Sequence, residues 1–142
     1  MMRAEKACLA LASLLGAGLA ANGLYMLAVP TALYFAVPGV TMTGPLNQRF
    51  LRDIRLTFVL IGAAFFLGIA RPKQRVTLWG AAAIWLTGHA LFHVWEVAAG
   101  IRGASALARN FPAVTLPALI AIALTVWAAL QVTSARPASS QQ

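Results

Sequence analysis

Residues 54–75 read IRLTFVLIGAAFFLGIARPKQR, an apolar run interrupted by a single charge at Arg55 that passes into a five-residue turn holding Arg71, Lys73 and Arg75. A helix needs about 20 residues, with a range of about 17–25, to cross a hydrocarbon core. The 54–70 run meets that length. Pro72 and the clustered cations then end the helix, and a second apolar run begins at Val76. The pattern is that of two antiparallel helices whose connection lies in a headgroup region.

Extended in both directions, the same reading finds four spans, about 7–29, 54–70, 76–100 and 111–132. They predict an all-α fold, an integral membrane four-helix bundle forming one domain over 1–133, with a disordered tail over 134–142. Composition agrees, since 61% of residues are apolar, 10% are charged and the mean hydropathy is +0.79. Such a chain cannot present the charged surface of a water-soluble domain. The net charge of +8 would suggest a nucleic-acid partner on a soluble domain. Here the cations flank apolar runs, so the expected partner is the lipid bilayer and not nucleic acid. Cys8 is the only cysteine, which excludes an internal disulfide and a thiolate metal cluster.

The first span also has the basic start of a signal peptide, in Arg3 and Lys6, with Ala20 before a cleavage point, but its apolar stretch outruns a typical h-region. Four spans put both termini and the 71–75 turn on one side. Arg3, Lys6, Arg71, Lys73, Arg75 and Arg136 lie there, against Arg49, Arg52, Arg55, Arg102 and Arg109 on the other. The excess is one, and the density of the 71–75 turn orients both termini to the cytoplasm of a bacterial inner membrane. The 30–50 connector, with Tyr34, Phe35, Val37, Val40 and Met42 between the turns Pro38-Gly39 and Gly44-Pro45, is expected to cover the outer mouth as an interfacial loop or helix. Thr43 or Gly44 is expected to cap helix two, with Pro45 in its first turn. Trp79 and Trp127 fall at the inner interface, and Tyr25 and Trp95 at the outer, as aromatic belts do.

Small residues recur at four-residue spacing: Ala12, Gly16 and Ala20; Ala64 and Gly68; Ala121, Thr125 and Ala129. This spacing suits close helix packing, although alanine-rich sequences also produce it by chance.

The polar residues within the spans are few. On a helix turning about 100° per residue, His93 lies about 40° to one side of His89 and Glu96 about 20° to the other, so all three share a stripe. Intramembrane ionisable groups face the bundle interior and raise a functional hypothesis. His89 with His93, or His93 with Glu96, are neighbours able to share a metal, while His89 and Glu96 are about 10 Å apart along the axis. A transition metal would need a further ligand, from Asp53, Asn22, Tyr25 or Asn47. A haem would need an opposing axial ligand such as Met26 or a second subunit. The alternative is structural: Glu96 pairs with Arg52 or Arg55, and the histidines bond to Asn22, Tyr25 or a carbonyl. Asp53 can bridge back to Arg49. Together Asn22, Tyr25, Arg52, Asp53, His89, His93 and Glu96 define a polar pocket in the outer half.

The layout resembles small bacterial four-helix membrane proteins of the DoxX-like kind. The matching features are the basic N-terminus, the Arg52-Asp53 pair opening helix two before Leu56 and Gly62, the Arg71 to Arg75 turn with its proline, and a fourth apolar helix. The resemblance implies a four-helix membrane fold and an accessory role, in some members linked to quinone-coupled oxidation. Three functions stay open: a nonenzymatic accessory component that packs with a second copy or a membrane-protein partner; a metal- or haem-binding electron carrier; and an enzyme acting on a lipid-like substrate, with His93 and Glu96 exchanging protons.

Overall fold

In a computed structural model, residues 2–29, 31, 34–35, 41 and 45–134 are described. Most of the expected interfacial cover, the Thr43 or Gly44 cap and all but the first residue of the expected tail lie outside these residues. The described residues are helical and contain no strand. They form α1 (Met2–Ala28), α2 (Gln48–Ala70), a 3-10 turn (Pro72–Gln74), α3 (Arg75–Ala98), α4 (Ser105–Asn110), a π turn (Phe111–Thr115) and α5 (Leu116–Ser134). The all-α expectation holds.

Three segments are long and apolar enough to cross a membrane: Arg3–Ala28, Arg52–Ala70 and Ser105–Ser134. The last is α4, the π turn and α5 taken as one rod. α3 is not among them, because its histidines, tryptophans and Glu96 dilute the hydropathy of its apolar residues. Pro45 sits in a bend ahead of α2 and not in its first turn. Proline lacks the N–H that would extend pairing, and the helix begins three residues later.

α1 and α2 form the most extensive contact, followed by α3 with α5 and α2 with α3, while α1 and α5 touch lightly. The α1–α2 seam is antiparallel and built on glycine. A Cβ on Gly62 would come 2.6 Å from the Gly16 carbonyl oxygen and 2.8 Å from the Ala20 nitrogen, and one on Gly23 would come 2.7 Å from the Arg55 carbonyl. The backbones therefore approach as only small residues allow. Of the expected small-residue faces, that of α1 lies in this seam, with Ala12 and Gly16 buried, while Gly68 of α2 meets Trp79 and Ala121 of α5 is buried in the core. The partners of the α1 face in the seam are Gly62 and Phe65, which the four-residue count on α2 did not select.

Trp79 joins α2 to α3. It is 0% exposed, donates from Nε1 to the Phe65 carbonyl at 3.1 Å, and packs onto Gly68 so closely that a Cβ there would overlap the indole. Its ring stacks on Trp127, centroids 6.3 Å apart. The Arg75 guanidinium lies over both rings, 5.4 Å from one and 5.6 Å from the other, and its Nε donates to the Gly68 carbonyl at 3.1 Å. Trp79 is thus a core residue and not part of an interfacial belt, and Arg75 is a buried element of packing. An indole offers a large apolar area and one donor, so a carbonyl within reach suffices to bury it.

Candidate functional site

The polar residues of α3 gather where that helix ends. Gly100 has φ +73°, a backbone conformation that suits glycine. The Gly100 N–H donates to the Val97 carbonyl at 3.1 Å and the Ile101 N–H to the Glu96 carbonyl at 2.9 Å. This paired closure is a Schellman motif, which reverses the chain at a helix C-terminus. The Arg102 N–H also reaches the Glu96 carbonyl, at 3.3 Å, so the connector is tied to Glu96 by its backbone before any side chain takes part.

The side chains follow. Glu96 is 7% exposed. Its Oε2 lies 2.9 Å from His93 Nδ1 and 3.8 Å from an Arg102 guanidinium nitrogen. No hydrogen-bond donor among the described residues is aligned on that oxygen, so the His93 contact is close without being directed along an N–H. His93 Nδ1 also lies 3.4 Å from the Asn110 side-chain amide. One ring nitrogen therefore faces an acceptor, Glu96, and a donor, Asn110. Protonated, it can donate to the carboxylate; unprotonated, it can accept from the amide.

Asn110 reaches this position because the rod starts irregularly. Pro117 has no N–H for the Ala113 carbonyl and its ring crowds that group, and the backbone widens into the Phe111–Thr115 π turn directly after Asn110. His89, one turn deeper than His93, is enclosed by rings. It stacks on Trp85 at 5.0 Å with planes 15° apart, meets the edge of Phe58 from α2 at 5.8 Å, and meets His93 at 4.8 Å.

His89, His93 and Glu96 thus form one connected set, joined by Arg102 and Asn110. Among the described residues, no hydrogen bond or ion pair joins the other residues of the expected pocket to this set. Asn22 lines a separate cavity of about 270 Å³ with Leu19, Phe58, Ala113 and Pro117. Phe58 is shared between that cavity wall and the ring cage of His89. Tyr25 is 57% exposed, and Arg52 and Asp53 are exposed at the start of α2. The salt bridge expected from Asp53 to Arg49 does not form among the described residues, as is common for solvated pairs. Glu96 takes Arg102 as its cationic partner instead of Arg52 or Arg55, because the Schellman closure delivers Arg102 at no further cost in chain ordering.

Arg102 and Asn110 were not singled out from sequence as site residues. Gly100 was the available signal for Arg102, since a glycine just past a helix end marks a reversal. Pro112 and Pro117 marked the irregular start that positions Asn110. Among the described residues no group of three or more His, Cys, Asp or Glu side chains converges as a metal site. His89 and His93 would be the first two ligands of any metal held here, with Glu96 the nearest carboxylate on the same helix.

No protein-family model, no curated protein and no solved structure matches this chain.

Proposed function

We propose that the chain is an integral protein of the bacterial inner membrane, a four-helix bundle with both termini cytoplasmic, serving as a nonenzymatic accessory component. The DoxX-like layout belongs to the same reading.

The distribution of charge carries it. Arg3, Glu5, Lys6, Arg71, Lys73 and Arg75 belong to one end of the antiparallel bundle; Arg49, Arg52, Asp53, Arg55, Glu96, Arg102 and Arg109 belong to the other. Between the two ends no described residue is charged. At about 1.5 Å per residue, about 24 Å separates Arg55 from Arg71 and about 31 Å separates Arg75 from Glu96, close to a hydrocarbon core of about 30 Å. Around this belt large apolar side chains point outward on every long helix: Leu14 is 72% exposed, Leu60 61%, Ile84 77% and Val126 51%. Water would not tolerate so much apolar surface on a monomer, and lipid does.

An open apolar groove of about 530 Å³ between α3 and α5, lined by Gly80, Ile84, Gly88, Leu91, Ile122 and Val126 among others, supports the accessory role, since a neighbouring helix packs closely where glycines open the surface. Alkaline carbonate washing of membranes tests the reading. An integral protein stays in the pellet, and release into the supernatant would overturn it.

A second reading, metal or haem binding for electron transfer, draws on the contact between the His89 and His93 rings. It requires further ligands beyond the α3 stripe.

A further inference from the structure

We infer that the end of the bundle bearing the 71–75 turn holds the headgroup of an anionic phospholipid, an inference that rests on the membrane reading above. Gly16 packs against Phe65 and Gly62, and α1 runs antiparallel to α2, so Arg3 and Lys6 come to the same end as Arg71, Lys73 and Arg75. Glu5 is the one acid there. None of these five cations makes an ion pair with a described carboxylate; the two ion pairs among the described residues both involve Glu96, at the opposite end.

Most surface cations of this kind are simply solvated, but two observations set this group apart. A cleft of about 430 Å³ lies in the turn itself, lined by Arg71, Pro72, Lys73 and Gln74. Beside it Arg75 is held at 9% exposure, its orientation set by the Gly68 carbonyl and by the faces of Trp79 and Trp127. A guanidinium this buried without a carboxylate beside it lies in a poorly hydrated place, where attraction for an anion is stronger than in water.

Phosphate is the chemistry such a group recognises, and a phosphodiester on a lipid is the source the surroundings favour. Leu60 and Leu67 fall on one stripe of α2, seven residues apart, and Arg71 follows directly after its last residue. Leu60 and Leu67 are exposed, and the Arg71 N–H bonds to the Leu67 carbonyl at 2.8 Å, so the turn is tied to the end of the leucine stripe. An amphipathic ligand can therefore set its headgroup among the cations and its acyl chains along the leucines, which a free phosphate cannot. Basic clusters at the cytoplasmic ends of spans recognise anionic headgroups in this way.

The test uses the full-length protein in neutral detergent, with phosphatidylglycerol, phosphatidylcholine or inorganic phosphate added, read by native mass spectrometry and by melting temperature. Phosphatidylglycerol is expected to stay bound and to raise the melting temperature, with no such effect from the other two. In the Arg71→Gln/Lys73→Gln variant its retention should fall about tenfold or more, while the melting temperature without lipid stays that of the parent. Gln74→Glu, which sets an acid among the cations and leaves the rest of the turn intact, should lower retention as well. Equal binding of both lipids, or undiminished retention in both variants, would overturn the inference. Stabilisation by inorganic phosphate equal to that by phosphatidylglycerol would overturn the lipid assignment. Carbonate washing of the same membranes separates the two proposals: a released protein refutes the membrane reading, while a retained protein without lipid preference refutes this inference alone.

Discussion

Gly62 on α2 faces Gly16 on α1 so closely that a Cβ on Gly62 would sit 2.6 Å from the Gly16 carbonyl oxygen. The obstacle is backbone, which cannot rotate aside as a side chain can. The α1–α2 seam is thus fixed by what Gly16, Gly23 and Gly62 lack.

Gly62→Ala should force the two helices apart and cost about 1–3 kcal/mol, the usual range for overpacking. Gly88→Ala is the matched control, because a Cβ there meets nothing within 4 Å and alanine gains about 1 kcal/mol of helix propensity. Melting temperatures in detergent should fall for the first and hold or rise for the second.

Trp79→Ala should be among the most damaging single changes, at about 3–5 kcal/mol for a buried aromatic. It removes the bond to the Phe65 carbonyl and one of the two rings beneath Arg75. Trp95→Ala, at a residue 54% exposed, should cost far less. Comparable losses for the two would refute the placement of Trp79 in the core.

His93 and Glu96 should be energetically coupled. The 2.9 Å contact predicts an interaction energy of about 0.5–3 kcal/mol in a double-mutant cycle of His93→Ala and Glu96→Gln. Arg52→Ala, at an exposed position, should show no coupling to Glu96→Gln. Additivity in the first cycle would refute the contact.

The accessory reading predicts a purified protein without stoichiometric metal and without visible absorbance. Elemental analysis and an absorption spectrum decide this. Stoichiometric metal lost in both His89→Ala and His93→Ala would replace the accessory reading with the metal-binding one.

Orientation is accessible to labelling, because Cys8 is the only cysteine. In a Cys8→Ala background, Gly103→Cys should react with an impermeant maleimide added outside spheroplasts, and Gln74→Cys only after lysis. The reverse pattern would invert the topology.

Much of this molecule is local in origin. Three long apolar segments, the turn at Arg71–Arg75, the small face of α1 and the shared stripe of His89, His93 and Glu96 depend on hydropathy and on the period of a helix, and both can be read within one segment. What required the tertiary structure are the relations between segments. Arg75 and Trp79 look like interfacial flanks by position, yet they are buried, because Gly68 leaves room for the indole and a carbonyl for the guanidinium. Glu96 meets Arg102 and not an arginine of α2, because a glycine with positive φ folds the connector back. Asn110 reaches His93 across 17 residues of sequence, because Pro117 distorts the helix that follows it. Hydropathy states that a residue can be buried. Which neighbour it is buried against depends on backbone geometry at Gly62, Gly68, Gly100 and Pro117, and that geometry takes its meaning only once the helices are packed together.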